Sequence, residues 1–392
     1  MPRFYSAQEA SKRLGVSRNT LYSYVSRGLI RSEPTGPSSK TNRYHALDVD
    51  RMATRSRVYK APAQALQSST DWGAPILESA ITLIGDETFY YRGICVPTMA
   101  TEQTFEQVMA LLWEVPESEP PMVNPVLRDQ VEKLLEHRQE SDPMNLFQGI
   151  LAMLNHEDVT AYSFTRETTM RAGRMMLESF VRVLTGSWPS ARIAELLAMT
   201  WKVDSLLVPA FDSALILVAD HELNISSFTA RCVASAGCSP YAAVAAATHA
   251  FFGRRHGGNT ERICGLLNEA DGQGSLYKVI ESRVKRDDPV PGFGHKLYDA
   301  DPRARFLLSR LPDRNGYISQ AQEAADKLLG SSYPTVDFAL AVMEKELALP
   351  DKSSSYLFYL GRLAGLAAHI MEQYAQNRPI RPRAKYVGVM TA

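Results

Sequence analysis

The 392-residue sequence predicts an all-α fold, a long helical body preceded by a small helix-turn-helix domain. Three observations carry that expectation. From Ala74 onward apolar residues recur at helical spacing, and strand-like alternation is scarce. The first 57 residues hold two short capped helical segments joined by a glycine turn. The chain is also too long for a single core, so two or three domains are expected.

The head reads element by element. Ser6-Ala-Gln-Glu9 has the form of a capping box, with Ser6 as the cap and Glu9 reaching back to it. Ala10 and Leu14 face inward from that first helix. Gly15-Val16-Ser17 forms a tight turn, and Ser17 caps a second helix from Arg18 to Gly28. That helix is expected to bury Leu21 and Val25 and to expose Arg18, Asn19, Thr20 and Tyr24. Pro34 to Ser39 reads as a loop, and Asn42-Arg43-Tyr44 leads to a short helix at about 47–55. Residues 58–72, rich in Gln, Ser and Pro, form a polar linker to a body spanning 73–392.

In the body, helices are expected over Phe105–Trp113, Val126–Leu135, Ala191–Leu197, Ser213–Asp220, Ser226–Ala236, Ala243–Phe252, Ile318–Leu329, Phe338–Leu347 and Leu357–Tyr374. The composition, 45% apolar and 22% charged, is that of a globular protein. The longest nearly apolar run, Tyr241 to Gly253, is too short to span a bilayer. The N-terminus lacks the apolar core of a signal peptide. Four cysteines without Cys-x-x-Cys spacing favour a reducing compartment, so the cytoplasm is the expected location.

A net charge of zero conceals an asymmetry. Residues 1–60 hold twelve Lys/Arg against four Asp/Glu, a local net of +8, which leaves −8 on the remainder. A basic head on an acidic body points to nucleic acid as a partner of the head.

Several chemistries are excluded by motif. His221-Glu222-Leu223-Asn224-Ile225 lacks the second histidine of a zinc-protease helix, no Gly-x-x-x-x-Gly-Lys loop occurs, and Gly292-Phe293-Gly294 lacks the third glycine of a dinucleotide turn. What remains is acid/base chemistry and charge. In Pro291-Gly-Phe-Gly-His-Lys-Leu-Tyr-Asp-Ala-Asp-Pro-Arg303, a Gly/Pro turn presents His295, and Arg303 follows eight residues later. An imidazole can polarise a carbonyl while a guanidinium grips a carboxylate through two parallel bonds, so the pair suits a keto acid. Each polar residue alone also fits an ordinary role: Asp337 as an acid favoured by a helix N-terminus, His221 and His256 as satisfied helix-end histidines, Arg303 as a surface charge, Arg381 and Arg383 as parts of a basic tail. His45, His137, His156 and His249 match no site motif.

Two resemblances join these residues. Tyr5-Ser6-Ala7-Gln8-Glu9-Ala10, Leu14-Gly15-Val16-Ser17, Gly28-Leu29-Ile30 and Arg43-Tyr44 resemble the DNA-binding head of MerR-type regulators. That resemblance implies phosphate contacts from Arg18, Arg27 and Arg43 and base contacts from Asn19, Thr20 or Tyr24. From about Ile81 to Tyr386 the chain resembles citrate synthase, through Tyr91-Arg92-Gly93, Ala219-Asp220-His221-Glu222-Leu223-Asn224, His256-Gly257-Gly258, Pro291 to His295, Asp301-Pro302-Arg303, Val336-Asp337-Phe338 and Arg381-Pro382-Arg383. The resemblance implies large and small helical domains, the small one at about 225–335, in a homodimer. It implies Asp337 as the base acting on the methyl of acetyl-CoA, His256 at the thioester oxygen and His295 at the oxaloacetate carbonyl. His221, Arg303, Arg362 and Arg381 match the carboxylate-binding set, Arg381 reaching in from the other subunit. Val290, Pro291, Gly292, Phe293 and Gly294 match the loop along the adenine of CoA. No metal or covalently bound cofactor is implied; acetyl-CoA, or propionyl-CoA as the alternative donor, is a cosubstrate.

The chain departs from the family at Asn259-Thr260, where Ala-Asn is common, and in its fused head. The head keeps a second reading open, a DNA-binding regulator that uses the body as a metabolite sensor.

Overall fold

In the computed structural model, the described residues are 4–35, 41–46, 48–49, 52, 77–85, 87–116, 122–136, 142–190, 192–384 and 386–388. The linker expected at 58–72 and His137 lie outside them, as does most of the helix expected at 47–55. The chain gathers into two compact units, Met1–Glu78 and Ser79–Ala392.

In the head, helix α1 (Ala7–Leu14) carries the full capping box: Ser6 Oγ accepts from the Glu9 N–H, and the Glu9 carboxylate accepts from the Ser6 N–H at 2.8 Å. Gly15 closes the helix in the left-handed region, φ +64°. Ser17 caps α2 (Arg18–Ser26) through the Thr20 N–H. Ala10, Leu14, Leu21, Ile30, Tyr44 and Val49 form the core of this unit. The head also holds a three-stranded antiparallel sheet that the sequence reading did not foresee. Its strands are β1 (Phe4–Ser6), β2 (Ser32–Pro34) and β3 (Asn42–His45) in the order β1-β3-β2, with Tyr5 opposite Tyr44 and Glu33 opposite Arg43.

The body opens with a second small sheet, β4 (Thr82–Ile84), β5 (Phe89–Tyr91) and β6 (Ile94–Cys95). Helices follow: α3 (Val96–Glu102), α4 (Phe105–Trp113), α5 (Pro125–Glu136), α6 (Pro143–Glu157), α7 (Arg166–Thr185), α8 (Ile193–Thr200), α9 (Val208–Val218), α10 (Ile225–Ser235), α11 (Pro240–Phe251), α12 (Asn259–Gln273), α13 (Leu276–Lys285), α14 (Pro302–Leu308), α15 (Tyr317–Lys327), α16 (Val336–Glu346) and α17 (Ser353–Gln376). The nine expected helices all appear, Phe105–Trp113 with the expected ends and the others with shifted ones. The sequence reading missed α3, α6, α7, α12, α13 and α14.

Helix α17 is the axis of the body. It is apolar around nearly its whole circumference, as a helix with no solvent face must be, and it is buried from Ser353 to Met371. It packs on α4, α7, α9, α10, α11 and α16. Its first turn is capped from α16, where Glu344 accepts from the Ser354 N–H (2.8 Å) and hydroxyl (2.6 Å). A carboxylate there satisfies orphan amides and suits the positive end of the helix.

Candidate active site

Three segments carry the candidate site residues. The first leaves the apolar helix α9 at Asp220 and turns through His221 and Glu222 into α10, which Asn224 caps through the N–H groups of Ser226 and Ser227. His221 is buried, with Nε2 3.1 Å from the Tyr298 hydroxyl. Burial, then the nearby cations Arg303 and Arg362 and the ring of His295, hold its pKa well below the ordinary histidine range. It is a neutral hydrogen-bonding group.

The second segment is the turn between α11 and α12. His256 is half-buried, its ring 5.0 Å from that of Phe251, and its Nε2 is 3.0 Å from Ser226 Oγ. Burial, reinforced by Arg362, depresses its pKa to about 3. The double glycine of this turn is dictated by packing. A Cβ on Gly257 would stand 2.2 Å from the Phe251 ring, and one on Gly258 would stand 2.8 Å from the Phe252 carbonyl. Packing inside the turn itself excludes side chains there. The unusual Thr260 also has a physical account: its Oγ1 donates to the Gly257 carbonyl (2.9 Å) and meets the Ser355 hydroxyl (2.5 Å). It ties the histidine turn to the start of α17.

The third segment is a crossing of two loops. Gly294 N–H donates to the Tyr333 carbonyl (2.9 Å) and Thr335 N–H to the Gly292 carbonyl (2.8 Å), with Phe293 bridged to Pro334. This pairing needs Gly292 and Gly294 at φ +89° and +77°, a region only glycine occupies freely. Residues 290–294 are thereby zipped to the segment that leads into Asp337. Asp301, which the sequence motif contains without a role, welds the crossing. Its carboxylate accepts from Arg303 Nε and Nη2, both at 2.9 Å, and from the Val336 N–H at 3.0 Å, one residue before Asp337. Burial alone would raise Asp301, but Arg303 outweighs it and the pKa is lowered.

His295 is oriented by its own loop. Its Nδ1 accepts from the Leu297 N–H at 3.1 Å, which puts the proton of the neutral ring on Nε2. Burial, with Arg303, lowers its pKa to about 4. Arg303 Nη2 lies 3.3 Å from that Nε2. That Arg303 nitrogen also donates to Asp301 Oδ2, so the imidazole and the guanidinium stand side by side at the loop crossing. The rings of His221, His295 and Tyr298 pack together, with centroids 4.9 to 5.7 Å apart.

Asp337 stands in the first turn of α16. Burial outweighs the pull of Arg303 and raises its pKa to about 6. Arg362, on α17, is 1% exposed; its Nε donates to the Val218 carbonyl (2.9 Å), and its Nη1 has no partner among the described residues. The fields of Arg303 and Arg362 reach both His221 and Asp337, Arg362 also bears on His256 and Arg303 on His295, so these residues cluster around the two guanidiniums. Arg381 does not join them: it is exposed in the segment after α17.

In the head, Arg18 and Asn19 are exposed on the first turn of α2 and Arg27 is exposed at its end. Thr20 is half-buried, its Oγ1 2.9 Å from Ser17 Oγ. One expectation is corrected. Tyr24 packs against the head core, and the exposed aromatic on α2 is Tyr22. Arg43 is engaged within the head by Glu33 (3.2 Å) and by the Phe4 ring (4.2 Å).

Among the described residues no helix is long and apolar enough to cross a membrane, and no group of His, Cys, Asp and Glu is arranged to hold a metal ion. Comparison with known proteins agrees with the geometry. Residues 70–383 match the model of the citrate synthase C-terminal domain, and residues 4–57 match that of a helix-turn-helix domain. Citrate synthase 2 of Bacillus subtilis is 29% identical over 353 residues, covering 81% of this chain and 94% of that protein. Citrate/2-methylcitrate synthase of the same organism is 34% identical over 220 residues, covering 54% of this chain and 55% of that protein. The crystal structure of citrate synthase from Thermotoga maritima superposes with a TM-score of 0.66 at 25% identity, covering 82% of this chain and 95% of that one. The match over residues 70–383, most of the chain, places it in the citrate synthase family of condensing enzymes, with a helix-turn-helix domain at residues 4–57.

Proposed function

We propose that the chain condenses acetyl-CoA with oxaloacetate and water to give citrate and CoA. The observation that carries this reading is Arg362: a guanidinium buried at the pocket with Nη1 unpartnered is completed by an anionic ligand. Asp337 removes a methyl proton from the thioester while His256 donates to the developing oxyanion. The carbon so formed attacks the oxaloacetate carbonyl, which His295 Nε2–H polarises. His221, Arg303 and Arg362 hold the carboxylates, joined by Arg381 of a second copy in a homodimer. Residues 290–294 lie along the adenine of CoA, and a small domain at about 225–335 closes over the thioester before hydrolysis. General acid/base help and an oxyanion donor are each worth about 10²-fold or more. The reading involves no metal and no bound cofactor, and it places the enzyme in the cytoplasm.

The test is thiol release from acetyl-CoA and from propionyl-CoA with oxaloacetate, native protein against Asp337→Ala. Turnover that the substitution abolishes supports the reading, and the ratio of the rates names the donor. One extra methylene changes affinity by only about 1–3 kcal/mol, so propionyl-CoA, and with it 2-methylcitrate as product, is the alternative. Oxaloacetate or CoA binding without turnover favours a sensor. A regulatory role for the head is supported by its +8 charge and by the exposed Arg18, Asn19 and Arg27 on one small helix.

A further inference from the structure

Helix α17 does more than bring Arg362 to the pocket. It lays one stripe of its surface on the turn that carries His221. Arg362 Nε bonds the Val218 carbonyl (2.9 Å), Gly365 N–H bonds the Ala219 carbonyl (3.1 Å), and His369 Nε2 is 3.1 Å from Asp220 Oδ1. Positions 362, 365 and 369 share one helical face. The side chains of Asp220 and His369 are both fully buried. The same carboxylate accepts from Thr82 Oγ1 (2.5 Å) and from the Glu222 N–H (3.2 Å). Glu222 sits at φ +54°, a left-handed conformation that a glutamate holds only when its surroundings over-determine it. Asp220 and Glu222 flank His221, so the clamp grips the backbone on both sides of that ring.

We propose that Asp220 and His369 form a positioning unit for the dicarboxylate end of the pocket, acting through His221 and Arg362 and touching no substrate themselves. The inference rests on reading that pocket as the oxaloacetate site. His369 holds Asp220 in place from α17, Asp220 pins the turn, and the turn sets where His221 and the Val218 carbonyl, which anchors Arg362, can stand. Losing the partner that orients a metal ligand costs about 10–100-fold in affinity, and a loss of that order is expected for this carboxylate-binding turn.

The test compares His369→Leu, His369→Gln and Asp220→Asn with the native enzyme, reading the KM of oxaloacetate, the KM of acyl-CoA, the melting temperature and oxaloacetate binding by calorimetry. His369→Leu raises the oxaloacetate KM and Kd about tenfold or more, while the acyl-CoA KM stays within about twofold. His369→Gln places an amide donor near the position of Nε2 and recovers most of that loss. A lower melting temperature with an unchanged oxaloacetate KM in His369→Leu reduces the pair to a helix staple and overturns the inference. Should His369→Leu fail to fold, the near-isosteric Asp220→Asn decides, with a raised oxaloacetate KM in support and an unchanged one against. Failure of the native protein to bind oxaloacetate removes the reading of the pocket itself, whereas unchanged variants of an active enzyme overturn only this inference.

Discussion

At the scale of single residues, the pocket separates one titrating group from several that are silent near neutrality. His256 and His295 are depressed to about 3 and about 4, and Asp337 is raised to about 6. A base works only as the carboxylate, so kcat/KM should fall tenfold per unit as pH drops below about 6, and this acid limb belongs to Asp337. A pH–rate profile checks it; a limb centred near the ordinary carboxylate range would count against the assignment. Stability moves the other way. A carboxyl raised in the fold favours the folded state below its unfolded pKa of about 4, and that contribution is lost as pH rises through about 6. Asp337→Asn should therefore abolish turnover yet stabilise the protein at pH 8, by up to about 3 kcal/mol for a two-unit shift, read as a higher melting temperature than native at that pH. The candidate acid/base residues were legible because each lies within a short contiguous motif. Asp301, Tyr298 and His369 were not, since their roles come from neighbours brought near by folding. His369 looks like an interruption in an apolar helix until Asp220, 149 positions away, is placed against it.

At the scale of elements, helix existence was legible wherever apolar residues line one face, and less so where small or polar groups do the packing. Helix α7 buries Thr169, Ala172, Gly173, Glu178 and Ser179 among its larger side chains, a face that reads weakly as apolar. Both sheets were missed because strands of two to four residues are too short to establish an alternation. Close helix approach is equally invisible in sequence. A Cβ on Gly365 would fall 2.2 Å from the Ala219 carbonyl and 2.8 Å from Asp220 Oδ1. The backbone there cannot yield without moving the His221 turn. Gly365→Ala should destabilise by about 3 kcal/mol, the upper end for overpacking, and impair oxaloacetate binding more than acyl-CoA binding. Thermal unfolding paired with substrate titrations checks both halves. In the head, Ser6→Ala removes one arm of the capping box and should cost about 1 kcal/mol of head stability, visible in denaturant melts.

At the scale of the whole molecule, charge is distributed against the grain of a simple enzyme. The first 60 residues carry +8 and the remainder −8, so a polyanion is attracted to the head's charge and repelled by the body's. Where the head's cations point decides what that attraction can do. Arg31 forms a two-pronged bond with Asp48, and Arg43 is shared between Glu33 and Phe4. Arg18 and Arg27 are exposed at the two ends of α2, with Asn19 and Tyr22 exposed between them. A helix so decorated suits a groove flanked by phosphates. DNA binding by the full chain should then weaken linearly with log salt, and Arg18→Ala should reduce that slope by about 1 per head engaged. Arg43→Ala should change the slope far less, because its charge already has a partner. Titrations at several salt concentrations separate the two variants. A slope equal for both would mean that the head's overall field, and not α2, meets the DNA; salt-independent or absent binding would leave the head a module for protein contacts.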